Sequence, residues 1–180
     1  MKKIIKTTLP SFLPIALAVT LTFLTFYVAI QQNYRMNAND PQIQLAEDIS
    51  SQLANGAPYQ YFMPNVKIDI SKSLGTFLII YDNNGKLLGS SMVLNGKQPN
   101  IPTGVFSNTK NKGETRFTWQ PEKNVRSAVV VVHYKNGFVI VGKSLKEVEI
   151  RIDNLTKIVF LGWIFTLASV FALLYLLKNK

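Results

Sequence analysis

Two runs without a charged residue constrain this chain more than anything else in it. Leu9–Ile30 covers 22 residues and Ile158–Leu177 covers 20. A helix needs about 20 apolar residues to cross a hydrocarbon core, so both runs are expected to be transmembrane helices and the lipid bilayer is the first partner. Lys2, Lys3 and Lys6 precede the first run, and Lys178 and Lys180 follow the second. Positive flanks face the cytoplasm. The expected order is a cytoplasmic start at 1–8, a span at 9–30, an extracytoplasmic segment at 31–157, a span at 158–177 and a cytoplasmic tail at 178–180. The first run also has the basic start of a secretory signal. Cutting after Ala29 would set Tyr27 where a small residue is needed, so an uncleaved anchor is expected.

The formal net charge is +10, which elsewhere would point to nucleic acid. Here five of the twenty basic residues flank the apolar runs. The segment 31–157 carries fifteen Lys or Arg against ten Asp or Glu, spread along its length. An exported domain of that charge meets lipid head groups or wall polymers, so nucleic acid is not an expected partner. There is no cysteine and only one histidine. Disulfides and a zinc site are therefore not expected, nor is any other cofactor. His133 sits in a valine-rich stretch and reads as a packed or rim residue. No nucleophile elbow or Gly-rich phosphate loop appears, and the carboxylates are scattered. The chain is not expected to be an enzyme.

Within the segment, "NDPQIQLAEDISSQLANG" reads as a helix, with Asp40 as N-cap, Pro41 in the first helical position and Gly56 ending it. "APYQYFMPNVKIDISKS" has two prolines and reads as a packed connection. Phe77–Tyr81 and Lys86–Leu94 flank Asn84-Gly85, a hairpin signal. Residues 95–104 read as a loop and "VFSNT" as a short strand. "ETRFTWQP" and "VRSAVVVVHY" are further strands, and Asn136-Gly137 turns the latter into "FVIVGKS". The fold class is thus α+β: an N-terminal helix, about five antiparallel strands and a C-terminal helix.

That last helix opens on Ser144-Leu145-Lys146-Glu147, which has the form of a capping box. Leu145, Val148, Ile152, Leu155 and Val159 then recur at spacings of 3, 4, 3 and 4, the pattern of a coiled seam. Nothing between 145 and 177 demands a break. A continuous helix into the second apolar run could be a plain tether or could transmit displacement to the membrane.

"SLGTFLIIYDNNGKLLGSS", "IPTGVF", "TWQP", "VRSAVVVVHY" and "FVIVGKSLKEVE", in that order, resemble the extracytoplasmic part of membrane-bound sensor histidine kinases. That part is a single-Cache, PAS-like domain between two transmembrane helices, and the resemblance spans roughly residues 10–177. In that family a phospho-accepting histidine domain and an ATP-binding domain follow the second span. Here only Lys178, Asn179 and Lys180 follow Leu177, so kinase activity is not implied. The resemblance implies a small-molecule pocket on a face of the sheet, capped by the loop 95–104. Arg116, Trp119, Arg126 and Tyr134 are the ligand-binding candidates, since a guanidinium beside an aromatic suits a small carboxylate. Trp119 as a core plug and Arg126 as a solvated strand-edge charge are the alternatives. The function implied is a sensor or accessory protein acting through a membrane partner. A second copy of the chain or another membrane protein would pair with the spans through small residues such as Ala168 and Ala172, or Ala16, Ala18, Thr20, Thr22 and Thr25. The alternative is a structural or assembly module that anchors a protein-binding domain at the surface.

Overall fold

The computed structural model describes residues 2–178, with side chains from Thr8 onward. The flanking Lys2, Lys3, Lys6 and Lys180 lie outside the described side chains. Element order is α1 (Lys2–Asn37), α2 (Asp40–Ala54), β1 (Ile68–Asp69), β2 (Thr76–Asp82), β3 (Leu87–Ser90), β4 (Met92–Val93), α3 (Gly104–Lys112), β5 (Glu114–Glu122), β6 (Val125–Tyr134), β7 (Gly137–Ser144) and α4 (Lys146–Lys178). These form two compact units. One is Met36–Val148; the other is the pair of terminal helices up to Arg35 and from Glu149.

The helix unit is built from α1 and α4, both long and apolar enough to cross a membrane by length and composition. The two run antiparallel. Lys178 Nζ donates to Ser11 Oγ at 2.7 Å, Phe12 and Phe171 meet edge to face at 5.4 Å, Trp163 Nε1 donates to Thr20 Oγ1 at 2.9 Å, and the Tyr27 and Thr156 hydroxyls lie 3.1 Å apart. Leu17, Leu21, Leu24 and Phe26 on one helix, and Leu161, Phe165, Leu173 and Leu176 on the other, stay more than half exposed. Hydrogen-bonding pairs thus lie along the helix–helix seam beside the Phe12–Phe171 contact, while many large apolar side chains stay exposed, unlike a water-soluble helix pair. Both helices overrun the apolar runs. The compact domain spans Met36–Val148.

In that domain a five-stranded antiparallel sheet has the order β3-β2-β7-β6-β5. Successive residues of a strand point to opposite faces, and here both faces are dry. Leu78, Ile80, Val130, Val139 and Val141 lie under Ala46, Ile49 and Leu53 of α2. Ile79, Tyr81, Val129, Val131, Phe138 and Ile140 lie under Ile70, Met92, Leu94 and Ile101, with Val105 and Phe106 of α3 packed beside them. Double burial explains why the central strands read as unbroken apolar runs. Burying Ile49 and Leu53 contributes about 1.5–3 kcal/mol each.

Several local expectations are corrected. The helical start of α2 is one residue earlier than expected: Asn39 holds the cap position without a side-chain bond, and Asp40 is the first helical residue. Gly56 does end that helix, at φ +94°. "VFSNT" is helical, not a strand. Val105, Phe106 and Thr109 form one inward face of α3, and Gly113 at φ +81° stops it, its N–H reaching the Thr109 carbonyl at 2.8 Å. The run Lys86–Leu94 is split. β3 ends at Ser90, and β4 turns away to pair in parallel with β1. In the first hairpin only Gly85 is left-handed, so the loop is Asn83–Gly85, with Asp82 Oδ1 accepting from the N–H of Asn84 and of Lys86. The β6–β7 turn is Lys135-Asn136, with Tyr134 opposite Gly137. The capping box does not form. Ser144 belongs to β7, and its hydroxyl accepts at 3.3 Å from Lys146 N–H instead of Glu147 N–H.

Candidate functional site

The open edge of the sheet is where the domain has room. β3 pairs with β2 only from Ile79 onward, so Thr76–Leu78 of β2 run past it. Ser91 closes part of this gap: its N–H reaches the Leu78 carbonyl at 2.8 Å, and its hydroxyl oxygen accepts from Leu78 N–H at 2.7 Å. The rest is a cleft of about 680 Å³. One wall is a stripe of α2, Leu45, Asp48, Ile49 and Gln52, at helical spacings of 3, 1 and 3. The other is the Tyr61–Pro64 segment with Val66 and Ile68, and the floor is Thr76, Phe77, Leu78 and Ser91. Tyr61 and Val66 are 81% and 80% exposed at its mouth. Asp48 is the only charged side chain in the lining.

The floor is braced by β1. Asp69 Oδ1 accepts from the Ser71 hydroxyl at 2.8 Å, from Ser71 N–H at 3.0 Å and from Asn95 N–H at 3.3 Å. The two bonds from Ser71 hold this carboxyl below its ordinary value of 3.8. A carboxylate with a depressed folded pKa adds stability above its unfolded pKa and loses it as pH falls through the folded one. Asp69→Asn is therefore expected to lower the melting temperature at neutral pH, with the difference shrinking as pH falls below the ordinary carboxylate range and through the folded pKa. Thermal unfolding of both chains across that range checks it.

The four ligand candidates do not converge. Trp119 is 5% exposed and packs edge to face on Phe77, at 6.1 Å, in the α3-side core. Tyr134 is buried in the α2-side core, where desolvation and then the charge of Asp82 raise its pKa. Arg116 stands opposite Val130 of that same face and is ion-paired with Glu114, whose hydrogen bond raises its pKa. Arg126 is exposed, and its carbonyl accepts from Leu145 N–H. The face that the loop 95–104 covers is filled by Ile101, Leu94, Met92 and Trp119, which leaves the expected pocket occupied by core. His133 is at the rim, its Nε2 3.2 Å from Asn83 Oδ1 and its ring 4.9 Å from that of Phe138. Asp48, Tyr61, Val66 and Ser91 were not singled out by the sequence. The signal available was two large apolar residues stranded in a proline-broken connection.

Leu145, just before α4, and Val148, Ile152, Leu155 and Val159 within it are all half-buried while most of their neighbours are exposed. Within the helix unit Val159 lines an apolar crevice of about 220 Å³ with Thr20, Phe23, Leu24 and Tyr27 of α1. That part of the seam faces α1 of the same chain. Ala168 and Ala172 are exposed.

No protein-family model and no curated protein matches this sequence.

Proposed function

We propose that this chain is a two-span membrane protein whose Met36–Val148 domain lies outside the cytoplasm as a PAS/Cache-like sensor or accessory module. It acts by binding rather than catalysis and signals through a membrane partner. The observation that carries the reading is the outward-facing apolar surface of α1 and α4, with Thr20–Trp163 and Tyr27–Thr156 turned inward. Water would not tolerate such a surface; lipid would. The cleft beside α2 supports binding. Its volume lies in the usual range for small-molecule sites, about 300–1,000 Å³, and its lining offers one carboxylate and no basic residue to pair with it as acid and base. The exposed Tyr61 and Val66 favour the alternative, a protein-docking module at the surface.

Topology is the direct test. Asn84 is exposed at the tip of the β2–β3 hairpin. Asn84→Cys is expected to react with a membrane-impermeant maleimide in intact cells, and a cysteine placed at the C-terminus only after permeabilisation. The opposite pattern would overturn the reading.

A further inference from the structure

We propose that the cleft beside α2 binds a small molecule with an apolar body and a protonated amine, the body lying on Leu45, Phe62 and Val66 and the amine at Asp48. This deepens the sensor reading and rests on it for its setting. Three observations point to that chemistry. First, α2 carries two stripes. Gln42, Ala46, Ile49, Ser50 and Leu53 are buried, while Leu45, Asp48 and Gln52 join Ile49 along the cleft. The second stripe is thus presented to an open space, not to the sheet.

Second, the cleft's polarity departs from that of its domain. Between Met36 and Val148 there are twelve Lys or Arg against eight Asp or Glu. None of the twelve lines the cleft, and the one ionised group that does is the Asp48 carboxylate. Asp48 makes no ion pair among the described residues. A carboxylate or phosphate ligand would find no cation there and one like charge. An ammonium would find its counter-ion there, at the exposed edge of an apolar wall, where one solvent-screened pair adds a modest gain. Third, Ser91 is 6% exposed on the floor and its oxygen already accepts from Leu78 N–H. The hydroxyl hydrogen remains free to donate, so a neutral acceptor on the ligand body also has a partner. The charge favoured here is opposite to that of the small carboxylate expected for Arg116 and its neighbours, and the place is different.

Calorimetry on the full chain in lipid nanodiscs tests this, with three probes that share a phenylethyl body: phenethylamine, 2-phenylethanol and 3-phenylpropionate. The amine is expected to bind saturably, about fivefold tighter than the alcohol and at least about tenfold tighter than the carboxylate, as one exposed charge pair allows. Asp48→Asn should erase the amine's advantage over the alcohol and leave the alcohol unchanged. Asp48→Lys should reverse the order of amine and carboxylate. Asp48 is exposed, so thermal unfolding of both variants should match the parent. No heat above empty nanodiscs for any probe, equal binding of amine and carboxylate, or an amine preference that survives Asp48→Asn would each overturn the proposal. Amine selectivity with Asn84 labelled only from the cytoplasmic side would keep the ligand and sink the sensor topology; the converse would do the reverse.

Discussion

Gly137→Ala is expected to cost the Met36–Val148 domain its sheet. A Cβ at 137 would stand 2.0 Å from the Tyr81 carbonyl oxygen and 3.0 Å from Asp82 Cα. Gly137 is opposite Asp82 across β2–β7 and opposite Tyr134 across the β6–β7 hairpin. Its φ is not left-handed, so closeness, not conformational freedom, demands glycine. The obstacle is backbone and cannot rotate away. Relief requires β2 to move, and β2 carries Phe77, Ile79 and Ile80, all buried in the two cores. Overpacking costs about 1–3 kcal/mol where side chains can adjust, and more where they cannot. A loss above about 3 kcal/mol is expected, a large share of the 5–15 kcal/mol that holds a domain together.

Two other glycines calibrate that figure. At Gly142 the added Cβ meets the Phe77 ring at 2.2 Å. A ring can shift, though Phe77 is 1% exposed, so about 1–3 kcal/mol is expected. At Gly56 nothing lies within 4 Å, but φ is +94°, and the cost is backbone strain of about 1–2 kcal/mol. Thermal unfolding followed by the strand signal in far-UV circular dichroism should rank Gly137→Ala below Gly142→Ala and Gly142→Ala below Gly56→Ala. Gly56→Ala as the worst of the three would mean that the β2–β7 pair yields easily.

The same strands show what a sequence can reveal. Their apolar runs and the glycine and asparagine turns between them were readable because each depends on neighbours a few residues away. The unbroken run of α4 was readable for the same reason, whereas α1 extends beyond its apolar stretch at both ends. The parity of β5 was readable too: Arg116 and Trp119 are three apart, so a strand must set them on opposite faces. That spacing already argued against a shared pocket. α3 was not readable as a helix, since "VFSNT" is short and β-prone, and only the sheet face under Val105 and Phe106 makes helix the better solution. The split between β3 and β4 depends on β1, more than twenty residues upstream. The cleft was the least readable feature. Its walls come from residues 45–52, 61–68 and 76–91, and no local period encodes the meeting of three segments.

Trp163→Ala is expected to loosen α1 from α4 within the helix unit. The indole donates to Thr20 and lines the apolar crevice with Phe23, Leu24 and Tyr27 of α1. Truncating a packed aromatic costs about 3–5 kcal/mol in a dry core, whereas one hydrogen bond between membrane helices averages about 0.6 kcal/mol. Packing should therefore dominate, and Trp163→Phe should retain most of the pairing. Energy transfer between dyes at Leu13→Cys and Leu173→Cys, both exposed, would report this as a fall in the paired fraction for alanine and little change for phenylalanine. The result bears on how α4 could transmit anything. Val159 faces Thr20, Phe23 and Leu24 of its own chain across a shared crevice, so Val159→Cys is expected to give no disulfide between two copies. Displacement of α4 would then reach α1 of the same chain first, and the signal would be a change within one helix pair. Strong copy-to-copy crosslinking at 159 would mean that the pair opens and that the seam from Ile152 to Val159 receives a second chain.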